Sequence, residues 1–117
     1  MTSQAPLDEN GQVTLDGSGN GKLRLRPHGG QETWLPYSVS VKCSTNASEA
    51  LCRVYIGPSA TDPYFVDETV TGSTGDSSGR VADYTVDAHG SYLWAVWTGG
   101  DPGATGTMRV AGIRQTP

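Results

Sequence analysis

Turn-forming residues interrupt this chain so often that a helical bundle or coiled coil is excluded: 16 Gly and 7 Pro fall among 117 residues, about one position in five. The length suits one domain enclosing one core, with too few residues for a second. Leu, Ile, Val and Phe total only 20, a fraction that would suit disorder if the net charge were large and aromatics scarce. The charge is only −4, however, and three Trp and five Tyr are present. Val and aromatic side chains pack well on a pleated surface, so the composition predicts a folded β-domain.

The pattern along the chain agrees. Residues Met1 to Asn10 are polar and aperiodic and read as an N-terminal arm (1–10), with the β-domain expected over 11–117. Gln12–Leu15 and Lys22–Arg26 alternate around the turn Asp16-Gly17-Ser18-Gly19-Asn20-Gly21, which predicts a hairpin with Val13, Leu15, Leu23 and Leu25 inward. Tyr37 to Cys43 places apolar residues at every odd position, the cleanest period-two signal in the chain. Pro36 before it cannot donate to a ladder and marks an edge or a bulge. Cys52, Val54 and Ile56 share a face in the next strand, matching Val39, Val41 and Cys43. Between these strands, Asn46 with Glu49 three residues on resembles a capping box and suggests one helical turn.

Strands are further expected over Tyr64–Val70, Arg80–Val86 and Ser91–Thr98, with a long polar loop from Gly72 to Gly79. A last hairpin through Gly99–Gly103 leads to an eighth strand, Ala104–Arg114. About eight short strands, each with one apolar face to cover, predict an all-β fold: a single antiparallel β-sandwich or jelly roll.

Chemistry is harder to place. Only two histidines exist, His28 and His89, both beside Gly in turns, and no nucleophile elbow or phosphate loop opening a helix occurs. Glu32, Asp67, Glu68 and Asp83 read as surface acids, and Asp62, Asp76 and Asp101 as turn residues without calcium-loop spacing. Cys43 and Cys52 match no zinc pattern. They are open to a cross-strand disulfide if their strands form a hairpin, and to existence as buried thiols, which a reducing cytosol favours. The expectation is a protein without catalytic residues, metal or cofactor.

No run reaches the length of a membrane span, and the N-terminus lacks the cationic start and apolar core of a signal peptide, so synthesis in the cytoplasm is expected. Two lysines and an acidic balance supply no basic stripe for nucleic acid. The alternation Lys22-Leu23-Arg24-Leu25-Arg26 does put three cations on one strand face, either a solvated face or a contact for an acidic partner.

Tyr92 to Trp97 is apolar on both faces, whereas a sandwich buries only one. Either a loop covers the outer side or it is an interface, and Trp34, Tyr55, Trp94 and Trp97 are the candidate interface residues. A lectin-like platform stacking on a host glycan is the other use of such aromatics.

Several segments carry a resemblance. Asp16 to Gly21, Trp34 with Pro36, Arg53-Val54-Tyr55-Ile56-Gly57, Thr71 to Asp76 and Trp94 to Ala104 resemble small virion-associated β-proteins of tailed phages infecting actinobacteria. The likeness runs from about Gly11 to Gly112 and is most specific in the last segment. It implies a virion structural protein without enzymatic activity, partnered with major capsid or tail proteins or with further copies of itself. Capsid decoration is the expected role, with a minor tail protein or a carbohydrate-binding module as the alternatives.

Overall fold

A computed structural model describes residues 3–71 and 84–117. The strands are β1 (Ser3–Thr14), β2 (Gly21–Leu25), β3 (Thr33–Cys43), β4 (Ala50–Gly57), β5 (Phe65–Thr71), β6 (Val86–Asp87), β7 (Tyr92–Thr98) and β8 (Thr105–Thr116). A 3-10 turn, Asp62–Tyr64, precedes β5. Two four-stranded sheets form, ordered β1-β8-β3-β6 and β2-β7-β4-β5, with every pairing antiparallel.

The pairs β1 with β8, β2 with β7, β3 with β6 and β4 with β5 are the rungs of one long antiparallel hairpin wrapped into two layers. That is the jelly roll, and the all-β sandwich expectation holds. Consecutive strands therefore do not pair where the glycine runs suggested. β1 and β2 lie in different sheets, as do β7 and β8, so Asp16–Gly21 and Gly99–Gly103 cross between layers instead of closing hairpins. Likewise β3 and β4 are in opposite sheets, which removes the hairpin premise for a disulfide, and Cys43 and Cys52 are buried free thiols.

The side-chain faces follow the alternation. Val39, Val41, Cys43, Cys52, Val54 and Ile56 enter one core with Leu93, Ala95, Trp97, Met108 and Val110, and Val13, Leu23 and Leu25 pack against it half-buried. In β3 the parity changes once. Trp34 and Pro36 are buried, then Tyr37 is 62% exposed and Val39 is buried again. The register against β8 shifts between Pro36 and Ser38, so Tyr37 is the extra residue of a bulge beside the proline.

Residues 3–10 are a correction to the expected arm. They are polar and mostly exposed, but from Ser3 onward they are strand, paired residue by residue with β8 from Ser3↔Thr116 to Asn10↔Arg109. A polar sequence hides such a strand because, Leu7 in the core aside, it is held by its backbone ladder and by the ion pairs of Asp8 with Arg109 and Glu9 with Arg114 rather than by an apolar face. The expected strand over Arg80–Val86 shortens to Val86–Asp87 among the described residues, and the Gly72–Gly79 loop lies outside them.

One pole of the sandwich is laced by a carboxylate. The expected helical turn after Ser44 is absent; the backbone N–H groups of Asn46, Ala47 and Ser48 instead all donate to Asp101, at 2.7, 2.9 and 3.0 Å. The Asp101 N–H donates in turn to the buried Thr45 hydroxyl. These donors, that of Asn46 first, hold the Asp101 carboxyl below its ordinary value of 3.8. A depressed folded value contributes stability that is present above the unfolded value and lost as pH falls through the folded one. Asp101→Asn should therefore lower the urea midpoint at pH 7 and weaken its decline below pH 3.8. Identical acid limbs for both proteins would show that the clasp does not contribute.

Candidate docking face

The outer face of the sheet β2-β7-β4-β5 is built by register. Lys22 lies opposite Val96 and Arg24 opposite Trp94 across β2 and β7; Arg53 lies opposite Val96 and Tyr55 opposite Trp94 across β7 and β4. Cations from β2 thus stand over aromatic rings of β7. The Arg24 guanidinium is 4.8 Å from the Tyr92 ring centre and 5.6 Å from that of Trp94. Arg26 approaches Tyr92 at 5.8 Å and the Lys22 ammonium approaches Trp94 at 5.7 Å. Trp94 is fixed from the other side by its indole N–H donating to the Gly57 carbonyl at 2.9 Å.

On the same face Arg53 is neutralised. It reaches Glu68 at 2.7 Å and Asp62 at 3.9 Å, and hydrogen bonding to Tyr55 and Glu68 raises its pKa further. No acid among the described residues pairs with Lys22, Arg24 or Arg26.

The four aromatic candidates separate. Trp34, Trp97 and Tyr55 are only 1%, 0% and 6% exposed, so none of the three is a free contact surface; that expectation is corrected. Trp97 belongs to the core, Trp34 is held by its N–H on Glu32 at 2.8 Å, and Tyr55 packs edge-on against Phe65. Trp94 alone is half-buried on the outer face, with Tyr92 beside it. Both apolar faces of β7 are thus accounted for: one is core and the other is roofed in part by β2 cations. Sequence reasoning singled out those cations and this strand separately. What it lacked was the β2–β7 pairing that joins them.

Titratable groups also converge at one cleft of about 320 Å³ lined by Glu9, Asn10, Arg24, Leu25, Arg26, His28 and Trp34. Its carboxylate is engaged: Glu9 accepts from Arg114 at 2.5 Å, and the same arginine's Nε lies 3.3 Å from Glu32, which accepts from Trp34. Among the described residues no group of three His, Cys, Asp or Glu is placed to hold a metal, and no helix is long and apolar enough to cross a membrane.

No family model matches the chain, and no curated protein matches it. Solved structures match along nearly the whole chain. A subunit of the disulfide-linked pili that form Bacillus endospore appendages matches at TM-score 0.55 and 14% identity, covering 99% of this chain and 90% of that one. The turnip yellow mosaic virus structure matches at TM-score 0.46 and 13% identity, covering 99% and 92%. The prophage-derived protein YomS of SPBc2 matches at TM-score 0.38 and 13% identity, covering 95% and 95%. At 14% identity the likeness to the pilus structure is one of fold alone.

Proposed function

We propose that this chain is a non-enzymatic structural subunit of a phage virion, set in many copies on the assembled capsid as a decoration protein. The observation carrying this reading is the outer sheet face: it is cationic and aromatic, and Lys22, Arg24 and Arg26 on it pair with no acid among the described residues, which suits docking. The Glu9 carboxylate in the cleft and Glu32 are occupied by Arg114 and Trp34, which leaves them poorly suited to proton transfer. The sequence resemblance supports a virion setting, and the jelly roll shared with a pilus subunit suits a repeating assembly. Linkage through intermolecular disulfides does not suit this chain, because both cysteines are buried. A sugar-stacking role is disfavoured, since Arg24 and Lys22 already approach the Trp94 ring.

Quantitative mass spectrometry of purified virions tests the reading. Decoration predicts hundreds of copies per particle; about a dozen or fewer would assign the chain to the tail, and absence would remove it from the virion.

A further inference from the structure

The free side of β2 combines three features. First, among the described residues β2 is the edge strand of its sheet, hydrogen-bonded only to β7, and such an edge is a template for another strand. Second, Lys22, Arg24 and Arg26 project outward along it, at the repeat of about 6.8 Å that separates alternate residues of a strand. Third, Leu23 and Leu25 alternate with them, half-buried beside Val13 of β1 along the seam between the two sheets.

The cations are preorganised. Arg24 and Arg26 stand 4.8 and 5.8 Å from the Tyr92 ring centre, and a guanidinium held by a ring still carries N–H donors able to meet a carboxylate in bidentate fashion. Three of the chain's eight Lys and Arg stand here without an acid among the described residues, although the chain carries 12 Asp and Glu. An acidic partner laid along this edge would supply counter-charge to all three at once.

We propose that the β2 edge receives an extended segment of a neighbouring protein, added as a strand, in which carboxylates alternate with apolar residues. Its carboxylates lie against Lys22, Arg24 and Arg26, and its apolar residues close over Leu23, Leu25 and Val13. The protein partner is favoured over nucleic acid because the chain is acidic overall and the rings are partly occupied by the chain's own cations rather than open to bases. The inference names the partner chemistry of the docking face and rests on the reading of the chain as an assembly subunit. Its test needs no virion, so the two can fail separately.

The test is titration of the full chain, in low salt, with a capped synthetic peptide alternating Glu and Val, followed by calorimetry and by Trp94 fluorescence. Peptides alternating Gln and Val or Lys and Val, and a single-stranded oligonucleotide, serve as comparisons. The Glu–Val peptide should bind at least about tenfold more tightly than Gln–Val, and Arg24→Glu should weaken it by about tenfold. The K22E/R24E variant, checked for its fold by circular dichroism, should instead bind the Lys–Val peptide. Equal binding of Glu–Val and Gln–Val, tighter binding of the oligonucleotide, or a self-association through β2 that excludes the peptide would each overturn the proposal.

Discussion

Trp97→Ala should destabilise the domain by about 3–5 kcal/mol, a large part of what a chain of this size has to lose. The indole is fully buried between the two sheets, and sheet one makes room for it with Gly106, where an added Cβ would stand 2.8 Å from the ring. Removing the ring leaves a cavity that the rigid strands on either side cannot collapse to fill. The melting temperature should fall on the order of 15 °C. Trp97→Phe should cost far less, because it retains much of the volume and deletes an indole N–H that is buried without a hydrogen-bond partner among the described residues. Equal losses for the two variants in thermal and urea unfolding would contradict this account of the core.

A glycine series should separate backbone strain from lack of space. Gly19 has φ +77°, and an added Cβ would sit 1.9 Å from the Gly100 carbonyl oxygen. The same contact carries the hydrogen bond from Gly100 N–H to the Gly19 carbonyl at 3.0 Å, which ties the two inter-sheet loops together. Gly103 has φ +82° but open space around it, and Gly17 has open space and no left-handed φ. Alanine at Gly17 should therefore change stability by less than about 0.5 kcal/mol. At Gly103 it should cost about 1–2 kcal/mol from conformation alone. At Gly19 the loss should be clearly larger, because the loops must part. If Gly19→Ala and Gly103→Ala have equal midpoints in urea, the loop contact is not a determinant of the fold.

Strand positions and faces were legible because burial follows a period of two wherever one face meets the core, as Val39, Val41 and Cys43 do. Pairing was not. A glycine-rich turn between two strands reads as a hairpin, yet Asp16–Gly21 joins different sheets, and no local signal separates the two uses. Trp34 illustrates a second limit: an indole in sequence does not say which side of a bulge it occupies, and the parity change at Tyr37 put it inside. Asp101 read as a turn residue, whereas its role depends on three N–H groups more than fifty positions away. The docking face was half visible, as cations on one strand and excess aromatics on another.

A strand inside one sheet is also the last of the described strands in chain order: β8 lies between β1 and β3. Until residues 105–116 leave the ribosome, the first dozen residues have no ladder to join and the sandwich cannot shut. Folding must wait for completion of the domain, and its closing step spans nearly the whole chain, which is the slow end of the range for domains this small. A nascent copy truncated before β8 would carry two unsatisfied strands, an invitation to degradation or aggregation rather than to partial assembly.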